Sequence, residues 1–91
     1  MVPRAVADPK VFASGVGEGV RNARQARGWT QAELAERAGL SANYVARLER
    51  GELGASLFVA HRLCDALGID VSELLQRAET PARTGRRRIG G

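Results

Sequence analysis

The chain of 91 residues is 44% hydrophobic yet has only four aromatic residues, so it has room for one small domain with a core of Ala, Val and Leu, which suits closely packed helices. Its formal charge of +4 lies entirely at the C-terminal end: residues 80–91 hold Arg83, Arg86, Arg87 and Arg88 and no acid, and the other ten of the 14 basic residues balance the 10 acidic ones. A single cysteine, Cys64, excludes an internal disulfide framework, no Cys/His spacing resembles a zinc site, and no apolar run approaches the roughly 18 residues needed to span a bilayer. The start, MVPRAVADPKVFASG, lacks an apolar stretch of signal-peptide length. These features describe an all-α protein of a reducing cytoplasm with no membrane partner and no cofactor.

Residues 1–7 read as a loose arm. Asp8 followed by Pro9 is a helix cap and first turn. Gly15, Gly17 and Gly19 each weaken helix propensity by up to about 1 kcal/mol relative to Ala, so the firm part of helix one is expected near Val16, with 1–15 an arm and an extension of that helix. Val16, Val20 and Ala23 mark its buried side, Gly28 ends it, and Trp29 is a large anchor under the junction. Thr30 with Glu33 forms a capping box and predicts helix two over about 31–38. Ser41 is the next N-cap, predicting helix three over about 42–50, closed by Gly51. Ser56 opens helix four, where Leu57, Ala60, Leu63, Cys64 and Leu67 recur at helical spacing, and Gly68 closes it. Asp70 with Glu73 predicts a further capped helix over about 71–78, carrying Val71, Leu74 and Leu75. The folded domain thus spans 16–78, and Pro81 with the Gly/Arg-rich end forms a basic tail over 79–91 expected to be disordered.

The segment from Gln31 to Arg50, QAELAERAGLSANYVARLER, has the pattern of two short helices folded across a glycine corner. Ala35 is a small residue where the helices touch, Gly39 tolerates positive φ at the corner, and Val45 is a β-branched plug. Leu34, Ala38, Leu40 and Leu48 complete the apolar set. On these residues the chain resembles the phage-repressor and Cro type of helix-turn-helix regulator, the XRE family, from about Val16 to about Leu75. The resemblance implies a five-helix, lambda-repressor-like DNA-binding domain.

An α-helix fits the major groove, and only side chains on its exposed face near the N-terminus reach base edges. With Val45 and Leu48 turned inward, helix three offers Ala42, Asn43 and Arg47, the same positions to which the resemblance assigns base reading. Arg can grip O6 and N7 of guanine and Asn can pair with adenine. Ala42 departs from the family's common long polar residue and offers a thymine-methyl contact or room for its neighbours. Tyr44 is placed to meet either base or phosphate. Gln31 starts helix two, where free amides favour a phosphate oxygen, and its family counterpart clamps the DNA backbone. Ser41, Arg50, Asn22 and Arg27 are further backbone candidates. The resemblance pairs Arg24 with Glu49 as a structural ion pair between helices one and three.

Plainer readings apply to the rest. His61 has no partner suggesting catalysis, Cys64 falls on an apolar stripe, and Ser14, Ser41, Ser56 and Ser72 sit at or near helix starts, where hydroxyls cap; no enzyme is indicated. The arginines at 86–88 either add salt-sensitive attraction to DNA or form a solvated end. The reading is a transcriptional regulator, a homodimer on an inverted-repeat operator in double-stranded DNA, with Leu74 and Leu75 of helix five at the subunit contact. It has the size of a phage-type repressor, a restriction-modification controller or an autoregulating antitoxin, bacterial or phage-encoded and nucleoid-associated. The alternative is a protein-binding module that holds a toxin or another regulator, with DNA contact secondary; the protein partners in view are a toxin or RNA polymerase.

Overall fold

Asp8 opens the described part of the chain, its Oδ1 accepting the amide of Lys10 at 2.7 Å, and Pro9 occupies the first turn behind it. From there α1 runs without a break over Pro9–Ala26, followed by α2 at Gln31–Ala38, α3 at Ala42–Glu49, α4 at Leu57–Leu67 and α5 at Val71–Glu79. This computed structural model describes residues 8–79. The arm at 1–7 and the arginine tail from 80 onward lie outside the described residues.

Local hydrogen bonds start these helices where the side chains allow. Thr30 Oγ1 accepts from Glu33 N at 3.0 Å while Glu33 Oε1 accepts from Thr30 N at 2.8 Å, so two otherwise free amides are satisfied reciprocally. Ser41 Oγ accepts from Tyr44 N, and Ser56 Oγ from Val59 N, at 3.0 and 3.1 Å. At the start of α5 the amides of Glu73 and Leu74 donate to Asp70 O.

Four helices stop in one way. Gly28, Gly39, Gly51 and Gly68 hold φ between 70° and 76°, and the residue after each sends its amide back five positions. These bonds are Trp29 N to Arg24 O, Leu40 N to Ala35 O, Glu52 N to Arg47 O and Ile69 N to Cys64 O. This is the Schellman helix end, which satisfies the last carbonyls and is accessible to glycine without a Cβ clash. Trp29, Leu40 and Ile69 then pack against the core, while Glu52 is exposed. The Trp29 ring also carries the Arg37 guanidinium 4.2 Å above its centroid.

The helices enclose one core in which Val20, Leu34, Val45, Leu63 and Leu74 have no exposed surface. α1 packs against α5 and α3, and α2 against α3 and α4. Close approach explains the glycines of α1. A Cβ on Gly15 would sit 2.8 Å from Ala78 Cα, and one on Gly17 would sit 2.8 Å from Glu49 O and meet Leu48 O as well. Helix one is therefore longer than propensity alone predicts, because packing against α5 and α3 outweighs the intrinsic weakness of glycine. One expectation is corrected: Leu74, read as a subunit contact, is wholly inside the chain's own core, and of the two leucines only Leu75, 37% exposed, is available to a second subunit. The stripe of α5 that carries Ala78 inward carries Leu74 with it, four residues before.

Gly17→Ala is expected to destabilise the fold by about 1–3 kcal/mol through overpacking. Gly54→Ala, where nothing lies within 4 Å, should change stability by no more than about 0.5 kcal/mol; urea unfolding midpoints of the two variants provide the comparison.

Candidate nucleic-acid interface

The last residue of α3 is Glu49, whose side chain is 1% exposed. An ionised carboxylate so buried is tolerated only with full pairing, and two other helices supply it. From α1, Arg24 Nε donates to Oε2 at 2.7 Å and its second terminal nitrogen to Oε1 at 3.0 Å. From α2, Gln31 Nε2 donates to Oε1 at 2.9 Å. Arg24 also donates to Trp29 O at 2.8 Å, and Arg21 reaches the backbone oxygen of Glu49 at 3.2 Å. The hydrogen bond from Arg24 to Glu49 raises the guanidinium pKa against the opposing effect of burial, so this cation belongs to the scaffold.

The same carboxylate orients Gln31. One N–H of its side-chain amide is given to Glu49, which leaves the second to point elsewhere, and its backbone amide, at the first position of α2, has no acceptor within the helix. Two donors at a positive helix end suit a phosphate oxygen. Ser41, with its oxygen accepting from Tyr44 N, retains a hydroxyl proton to donate at the start of α3.

Along α3, Val45 and Leu48 are buried while Ala42, Asn43 and Arg47 are exposed. Asn43 and Arg47 therefore lie on the side away from Val45 and Leu48, and Ala42 is exposed in the first turn. Tyr44 is half-buried against the core. Asn22 is exposed on α1, whereas Arg27 donates to Ala23 O at 2.7 Å, closing the end of its own helix. Arg47 and Arg50 share one acceptor, Glu52, with Nε to carboxylate distances of 3.3 and 2.6 Å. Arg50 and then Arg47 hold the Glu52 carboxyl below its ordinary pKa, and it is charged at neutral pH.

Two residues of this region were not singled out by sequence reasoning. Glu52 is one; its signal was a charged residue behind a helix-ending glycine. Arg62 is the other: from α4 it donates to Ala38 O at 2.8 Å, and its guanidinium lies against Gly39, closing the corner of the helix pair. Nothing local to Arg62 announces that contact. Elsewhere, burial, with Asp70 and Glu73 adding to it, pushes the Cys64 thiol up, so the group behaves as a small hydrophobe. Among the described residues no helix is long and apolar enough to cross a membrane.

Two short helices held at a glycine corner, with the second exposing a polar edge along an otherwise buried length, define a helix-turn-helix DNA-binding domain. The chain belongs to the XRE-type helix-turn-helix family, whose model matches residues 20–74. It is 40% identical over 60 residues to an immunity repressor protein of Bacillus phage phi105, covering 66% of this chain and 42% of that protein. The chain thus spans less than half the length of that relative. The clp gene regulator ClgR from C. glutamicum superposes with a TM-score of 0.73 at 32% identity, over 78% of this chain and 92% of that one. The restriction-modification controller C.AhdI from Aeromonas hydrophila gives a TM-score of 0.66 at 37% identity, over 68% and 94%. The described residues form five helices that superpose on these regulators, and the chain carries the DNA-binding helix-turn-helix of transcriptional regulators.

Arg24→Met should cost about 3 kcal/mol or more, because it strands the buried Glu49 carboxylate with only Gln31 and Arg21. Replacing both partners, Arg24→Met with Glu49→Met, should be less harmful than the single change in thermal unfolding.

Proposed function

We infer that this chain binds an inverted-repeat operator as a homodimer and controls transcription from it, in the manner of a phage-type repressor, a restriction-modification controller or an autoregulating antitoxin. The observation that carries this reading is the exposure of Ala42, Asn43 and Arg47 together on a helix whose other side is pinned by Val45, Leu48 and Glu49. In this reading Asn43 and Arg47 enter the major groove, Ala42 lies near a thymine methyl or makes room for them, and Tyr44 lies at the groove edge. Gln31, Ser41, Arg50 and Asn22 meet phosphates and fix register, not sequence. Arg27, committed to the end of α1, is the weakest of the backbone candidates.

The dimer follows from economy, since one short helix reads few base pairs and two related by a two-fold axis read half-sites about 34 Å apart. Leu75 supports it. That residue is part of an apolar groove with Pro9, Phe12, Ala13 and Ala55. A second reading, a module for a protein partner such as a toxin or RNA polymerase, draws on Leu57 and Phe58, 76% and 65% exposed at the start of α4.

Selection of genomic fragments by the purified protein near physiological salt is expected to enrich an inverted repeat. Asn43→Ala and Arg47→Ala should each weaken binding to it by roughly 10- to 100-fold, the value of one bidentate base contact. Uniform, salt-fragile binding without a motif would overturn the sequence-specific reading, and loss of partner binding without loss of DNA binding in Arg47→Ala would favour the module. Leu75→Glu is expected to leave helicity intact, shift sedimentation to a monomer and weaken operator binding.

A further inference from the structure

Four helices of this domain end alike, and one of the four breaks the pattern at a single residue. Behind Gly28, Gly39 and Gly68 stand Trp29, Leu40 and Ile69, each returning its amide five residues and laying an apolar side chain on the core. That apolar contact ordinarily accompanies a Schellman end. Behind Gly51, at the end of the helix that presents Asn43 and Arg47, stands Glu52. Its amide makes the same return, to Arg47 O at 3.0 Å. The carboxylate, 45% exposed, then lies 3.3 Å from Arg47 Nε and 2.6 Å from Arg50 Nε.

Stability does not account for this choice. Ion pairs this exposed contribute little, and the position behind the glycine that is apolar at the other three ends is charged here, the chain meeting the core only one residue later, at Leu53. A carboxylate on a surface that meets phosphates also repels them. A local rule broken without structural gain points to the function of the surface.

Resting on the reading of Arg47 as a base-reading residue, we propose that Glu52 is a positioning residue that sets operator specificity through Arg47. The helix end fixes the Glu52 backbone one turn from Arg47, and the carboxylate takes the Nε–H. The four N–H groups on the two terminal nitrogens of Arg47 remain free, and these are the pair that can grip O6 and N7 of guanine. At the same time Glu52 offsets part of the positive charge that Arg47 and Arg50 present to phosphates, and phosphate contact supplies nearly all non-specific affinity. In the operator complex Arg47 is held by its base, so the negative charge weakens non-specific binding more than specific binding. Its consequence is a larger ratio between the two.

The test compares wild type, Glu52→Gln, Arg47→Ala and the double variant on the selected operator fragment and on a shuffled fragment of equal length, from about 50 to 200 mM salt. Glu52→Gln keeps the size and an acceptor oxygen but removes the charge. It should bind shuffled DNA about tenfold more tightly at low salt, with a salt slope steeper by about one phosphate contact. The ratio of operator to shuffled affinity should fall about tenfold, in a range where specific complexes exceed non-specific ones by about 10³ or more. In the Arg47→Ala background the same substitution should leave the ratio unchanged, which a simple surface-charge effect would not do. A discriminating wild type whose ratio survives Glu52→Gln, or falls equally with and without Arg47, overturns the role of Glu52 alone. A wild type that does not distinguish the two fragments overturns base reading by Arg47, and the role of Glu52 with it.

Discussion

The carboxylate of Glu49 is the joint on which the domain depends. α3 has only eight residues, too few to be helical in isolation, so its existence and its direction come from what holds it. Ser41 closes its start, Val45 and Leu48 pin its inner side, and Glu49 ties its end to Arg24 on α1 and Gln31 on α2. Because a buried charge cannot do without these partners, the three helices keep one mutual arrangement. The residue that fixes α3 also orients Gln31, so the exposed edge of α3 and the start of α2 are set by one group.

Charge in this domain has meaning by position and not by sum. Of its arginines, Arg24 neutralises Glu49, Arg27 closes α1 and Arg62 closes the end of α2. Arg37 lies over Trp29. Arg47 and Arg50 are turned outward, and these two meet Glu52. A near-neutral balance over the first 79 residues is compatible with an interface for a polyanion because most guanidinium groups serve the scaffold and a few serve the surface.

Much of this was legible beforehand, and the residues say why. Thr30 with Glu33, Ser41 and Ser56 announced helix starts, and Gly28, Gly39, Gly51 and Gly68 announced ends, because each acts through hydrogen bonds only a few residues away. The apolar pattern placed Val45 and Leu48 inside and so left Asn43 and Arg47 outside. Leu74 and Leu75 were a harder case. Adjacent leucines on a helix point about 100° apart, and which one the core receives depends on how α5 lies on α1. Gly15 and Gly17 misled for a related reason: a residue that weakens an isolated helix is what permits two backbones to touch, and only the neighbour reveals it.

The class of fold, the bounds of the helices after α1 and the exposed edge of α3 can be read along the chain, since capping and amphipathic periodicity act within a few residues. The tertiary structure decided which glycines are contacts, which leucine stays outside, that Gln31 leans on Glu49 eighteen positions away, and that Arg62 closes a corner twenty-four positions from it. Those outcomes depend on the angle and distance between helices, which arise from packing the whole core together and have no local signature.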